Sequence, residues 1–119
     1  MPETTTLYRP VGRPELDLIR ASGMRAFPPR LPDQPIFYPV LTLDYARQIA
    51  RDWNTRDERS GYEGYVLRFS VDTAFLSRYQ IQRAGSDAHL EYWIPASDLA
   101  DFNAHIDGEI EILETYTAA

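Results

Sequence analysis

Residues 36–53, IFYPVLTLDYARQIARDW, join two periodicities in one stretch, and the switch between them decides the fold class. The apolar and aromatic run from Ile36 to Leu41 reads as a strand, yet Pro39 has no N–H to give to a ladder. The run therefore belongs at a sheet edge or a bulge, with Tyr38 held extended by the proline after it. From Thr42, an N-cap residue type, Leu43, Ala46, Ile49, Ala50 and Trp53 recur along one helical face. A strand passes directly into an amphipathic helix.

On the N-terminal side, residues 1–5 are polar and expected to fray, and LYRPV, 7–11, reads as a short strand carrying Arg9 and ending near Pro10 and Gly12. RPELDLIRASG, 13–23, has Pro14, Glu15 and Asp17 in a first helical turn, Leu16 and Ile19 at helical spacing, and Gly23 where a C-cap belongs. MRAF, 24–27, reads as a further short strand. Four prolines in PPRLPDQP, 28–35, then impose a stiff loop.

On the C-terminal side, a charged loop over 54–64 leads into YVLRFSV, 65–71. There Tyr65, Leu67, Phe69 and Val71 alternate with Val66, Arg68 and Ser70, giving a strand with one mainly apolar face. YQIQR, 79–83, is another strand, closed by Gly85. HLEYWIP, 89–95, places Leu90, Tyr92 and Ile94 on a core face and His89, Glu91 and Trp93 on the other, and stops at Pro95. Ser97 is placed to cap a helix with Leu99, Phe102 and Ile106 on one side, where His105 is a favourable charge for the helix C-terminus. Gly108 ends that helix before a strand with Ile110 and Ile112 facing one way and Glu109 and Glu111 the other. The order is α+β rather than a regular βαβ repeat, in one domain spanning 1–119.

Composition narrows the chemistry. The sequence has no cysteine and only two histidines, which excludes disulfides and thiolate catalysis and supplies a transition-metal site poorly. Its 12 basic residues are all arginine, so amine nucleophiles and Schiff bases are excluded. A net charge of −6 opposes bulk attraction to nucleic acid or anionic lipid. With neither a signal-like start nor a long apolar run, the expectation is a cytoplasmic protein without a membrane span.

Glu91 has two readings from residue type and position. One is an acid on the wet side of an antiparallel sheet, paired with Arg68 or Arg83. The other is a functional carboxylate, and the order of the surrounding motifs bears on it. LYRPV with Arg9, then IFYPVLTLDYARQIA with Tyr38 and Tyr45, then HLEYWIP with Glu91 follow one another in an order that resembles the ADP-ribosyltransferase family, in its small bacterial single-domain form. The resemblance spans about residues 7–113. Two positions depart from the family pattern. FYP stands where a Ser/Thr-rich stretch is frequent, as in branches that use tyrosine, and His89 stands two before the glutamate in place of an acid or amide.

That resemblance implies split, twisted, mostly antiparallel sheets with small flanking helices, and NAD as the substrate that donates ADP-ribose to an acceptor it leaves open. Glu91 would stabilise the cationic sugar, and Arg9 would hold phosphate or ribose. Phe37, Tyr38 and Tyr45 would line the cofactor site. His89 would orient the acceptor or act as a base, or else only cap the loop of Ser86 to Ala88. Arg13, Arg25 and Arg30 read either as a diphosphate-binding edge or as solvated surface. The tyrosines read equally as core-margin aromatics. The alternative to an enzyme is a degenerate nucleotide- or protein-binding module of the immunity or antitoxin kind, with Trp53, Tyr62 and Trp93 as its contact surface. A purely structural domain would set Arg9 and Glu91 on opposite sides of the sheet.

Overall fold

In the computed structural model, which describes residues 3–86 and 88–118, the chain forms β1 (Thr4–Val11), α1 (Arg13–Ala21), β2 (Ile36–Phe37) and α2 (Leu43–Asp52). There follow β3 (Glu63–Asp72), α3 (Thr73–Leu76), β4 (Ile81–Arg83), β5 (Leu90–Tyr92), β6 (Ile94–Pro95), α4 (Leu99–Ala104) and β7 (Ile106–Thr117). The described pairings are all antiparallel, so the α+β class read from the sequence is the observed one. No described helix is long and apolar enough to cross a membrane.

β3 lies between β1 and β7, and the short pairs β2–β6 and β4–β5 stand beside them. The proline-interrupted stretch joins the two groups. Val40 exchanges both backbone bonds with Tyr8 of β1, at 2.8 and 2.9 Å. It also bridges to Glu91, while Leu41 N–H donates to Leu90 O and Tyr92 N–H donates to Pro39 O, each at 3.0 Å. Pro39 contributes only its carbonyl, so its missing donor leaves no gap in the ladder. The 39–41 segment thereby fixes β5 alongside the N-terminal strand.

The five phenylalanines, Phe27, Phe37, Phe69, Phe75 and Phe102, are all buried and share one core with Leu7, Leu16, Ile19, Leu67 and Ile94. Their rings meet mostly tilted or edge-on, with centroids 4.9 Å apart for Phe27–Phe37 and Phe27–Phe69, as ring quadrupoles favour. A second cluster under α2 joins Val40, Ala46, Ala50 and Val66. Gly64 makes that approach close, because a Cβ there would overlap the backbone of Ala50.

Several local expectations change on folding. β1 begins at Thr4 and pairs there with Asp72, so Thr4 and Thr5 are strand rather than frayed end. Segment 24–27 is not a strand. Met24 is left-handed at φ 61°, and Phe27 is held by the Asn103 side chain, whose Oδ1 accepts from its N–H and whose Nδ2 donates to its carbonyl, both at 2.9 Å. Val66 is fully buried on the second face of β3, because α2 covers that side. Ser97 caps nothing and lies in a 3-10 turn, Ala96–Asp98, before α4. Gly108, at φ 81°, lies within β7, and register shifts against β3 leave Ile112 exposed while Ile110 is buried.

Candidate functional site

Strand alternation puts Arg9 on the inward face of β1 between buried Leu7 and Val11, and it is only 8 % exposed. A cation there needs compensation. The chain supplies it within six residues: Gly12 ends the strand, α1 begins at Arg13, and its first turn presents Glu15. Arg9 Nε and Nη2 donate to the two Glu15 carboxylate oxygens at 2.7 and 3.0 Å, a bidentate fork. Nη1 donates to Tyr38 O at 3.3 Å, and the guanidinium lies 4.5 Å from the centre of the Phe37 ring.

Glu91 is 7 % exposed in the centre of β5, opposite Gln82. Arg68, one of the partners expected from the sequence, bonds Glu111 instead. Glu91 Oε1 accepts from the Tyr45 hydroxyl at 2.6 Å and Oε2 from Trp93 Nε1 at 2.7 Å. Trp93 can reach because residues two apart share a strand face. Tyr45 reaches from the first turn of α2, which Thr42 caps through Tyr45 N–H. Burial first, and then the Glu91 carboxylate, push the Tyr45 hydroxyl above the ordinary phenol range, so it stays a donor at physiological pH.

One cleft of about 1020 Å³ is lined by Arg9, Glu15, Tyr38, Tyr45 and Glu91. It lies at the upper end of the roughly 300–1,000 Å³ usual for ligand sites. Four of the six residues singled out in the sequence thus face one cavity. The other two do not line it. Phe37 is 1 % exposed in the core, where it serves as a platform under Arg9 and, at 5.9 Å, under Arg30. His89 stacks on Tyr45 with ring centres 4.6 Å apart, and its Nε2 bonds Gln48 Oε1 at 3.0 Å. Its place is behind the Tyr45–Glu91 pair.

Of the three second-rank arginines, Arg30 lines the cleft, whereas Arg13 pairs with Asp17 at 2.9 Å and Arg25 is exposed elsewhere. Arg30 Nε is buried with no hydrogen-bond partner among the described residues. Burial first, and then the Arg9 charge, lower its pKa from the usual arginine value, although a guanidinium remains charged. Glu15, Asn54, Asp57 and Ser60 are cleft residues that sequence reading left in a helix turn and a charged loop. Only the recurrence of polar groups three apart at 54, 57 and 60 hints at them. Among the described residues, no group of three His, Asp or Glu side chains is placed to hold a metal. Compared with known proteins, the sequence matches no family model and no curated protein.

Proposed function

We propose that this protein is an ADP-ribosyltransferase-like enzyme that cleaves NAD and transfers its ADP-ribose. The observation that carries the reading is that Arg9, Tyr38, Tyr45 and Glu91, far apart in sequence, line a single cleft. Breaking the bond between nicotinamide and ribose lets the base leave neutral and develops positive charge on the sugar. A preoriented carboxylate stabilises that charge more than it stabilises the ground state. Glu91 suits the task because two donors, Tyr45 and Trp93, hold its oxygens in place. Each oxygen keeps a second lone pair for a ribose hydroxyl.

The cleft also fits the rest of such a substrate. Arg9 is already committed to Glu15, so Arg30, whose buried Nε has no acceptor among the described residues, is a guanidinium left for the diphosphate. The exposed Tyr38 and Trp93 rings, edge-on at 6.4 Å, offer flat apolar surface beside Glu91.

The test is nicotinamide release from NAD, with and without a lysate as the source of acceptor. Glu91→Gln is expected to slow release by about 100-fold or more, the scale of losing one preorganised electrostatic group. Equal rates in the two proteins would remove Glu91 from the chemistry. NAD binding by calorimetry without turnover in either protein would replace the enzyme with a nucleotide-binding module on the same cleft, and no binding would favour a protein partner.

A further inference from the structure

The segment after α2 carries a polar group that the chain leaves unused. Asn54, Asp57 and Ser60 line the cleft and form a relay. Asn54 Nδ2 donates to Ser60 Oγ at 2.9 Å, and the Ser60 hydroxyl donates to Asp57 Oδ2 at 2.7 Å. A serine has one proton to give, so once a carboxylate takes it, Ser60 can only accept from Asn54. The relay therefore dictates which way the amide faces, with Nδ2 toward Ser60 and Oδ1 turned away. Gly12 locks it from behind, since a Cβ there would stand 2.5 Å from Ser60 Cα. Asn54 is 4 % exposed, and its Oδ1 has no hydrogen-bond partner among the described residues. A buried acceptor without a donor is a net cost to the fold and calls for a physical explanation.

We infer that Asn54 Oδ1 is the cleft's recognition point for an exocyclic N–H2 group on a planar heterocycle, either the amino group of adenine or the carboxamide of nicotinamide. The inference rests on the nucleotide reading of the cleft. Trp53, the preceding residue, also lines the cleft and is 59 % exposed, so its indole is open for a flat ring to stack on. Oδ1 is closed to solvent, but Trp53 and Arg59, its neighbours on the same segment, are surface side chains. A ring stacked on Trp53 would reach Oδ1 once a surface side chain of the cleft moves aside. A ligand with a keto or carboxylate oxygen at that point would set acceptor against acceptor and be rejected.

Calorimetric titration of the full chain tests this with two matched pairs. ADP against IDP exchanges an amino group for a keto oxygen, and nicotinamide mononucleotide against nicotinic acid mononucleotide exchanges a carboxamide for a carboxylate. In one pair the N–H2 member is expected to bind at least about tenfold more tightly. Asn54→Ala should bring that pair to within about twofold, with inorganic pyrophosphate bound as before. Asp57→Ala, which removes the acceptor of the Ser60 proton and so frees the Asn54 amide to turn over, should do the same and serves where Asn54→Ala fails to fold. Equal binding within both pairs, preference surviving in both variants, or no binding of any of the four nucleotides would overturn the inference. Discrimination alongside NAD binding without nicotinamide release would sink the enzymatic reading and leave this one standing. Glu91-dependent release without discrimination would do the reverse.

Discussion

Glu91 takes a hydrogen bond on each oxygen, and the two donors differ in what they can lose. The Trp93 indole gives its proton at any accessible pH, whereas the Tyr45 hydroxyl can ionise. Hydrogen bonds to charged groups contribute roughly 1.5–3 kcal/mol. Tyr45→Phe, which deletes the 2.6 Å bond but keeps the ring, should therefore lower kcat for nicotinamide release by about tenfold or more. The KM for NAD should change little, because the ring surface remains. Stability should also change with pH in a defined direction. The folded pKa of Tyr45 is raised, so its contribution is complete below the ordinary phenol value of about 10 and is lost as pH rises from there through the folded value. Urea denaturation at pH 8 and above pH ~10 should show the wild type losing more stability over that interval than Tyr45→Phe. An equal loss would mean the hydroxyl is not held as described.

At the scale of elements, α2 is the part on which the site depends, since it carries Tyr45 and packs Ala46 and Ala50 against Val66. A charged clasp adds to that packing. Arg47 Nε donates to Glu114 Oε2 of β7 at 2.7 Å, and Tyr116 donates to Glu114 Oε1 at 2.6 Å. The Arg47 bond first, and then the Tyr116 hydroxyl, hold the Glu114 carboxyl below its usual pKa. A depressed carboxylate contributes stability above the unfolded value, about 4.3, and the contribution disappears as pH falls through the folded one. Arg47→Gln should thus lower the denaturation midpoint at pH 7, and the gap from wild type should narrow as the pH drops below ~4. A constant gap would show that Arg47 acts through packing of its stem alone.

At the scale of the whole molecule, the phenylalanine core and the cluster under α2 lie on opposite faces of the β1–β3–β7 sheet. Phe102 meets Phe37, Phe69 and Phe75, with ring centres 5.3 to 6.2 Å away, and it is fully buried. Phe102→Ala should cost about 3–5 kcal/mol in chemical denaturation. Because Phe37 is also the platform for Arg9 and Arg30, the same variant should weaken pyrophosphate binding even where it remains folded. Unchanged pyrophosphate affinity would separate the core from the anion end of the cleft.

Local pattern was enough for much of this protein. The switch of period at Thr42 placed α2 and its cap, the proline-rich run placed the loop, and alternation placed the apolar face of β3, because each depends on neighbours within a few residues. The same alternation put His89, Glu91 and Trp93 on one face, and they do gather around Tyr45, directly or through Glu91. Tertiary structure decided the rest. Whether Glu91 faced an arginine or a tyrosine depended on Val40 bridging β1 to β5. That Phe37 is core, that Glu15 holds Arg9, and that Asn54 is left with a free acceptor depended on which distant segments closed around them. Period says which side of an element is apolar, but only the closure of long loops brings its partner, and no residue near Glu91 in sequence encodes the helix that delivers Tyr45.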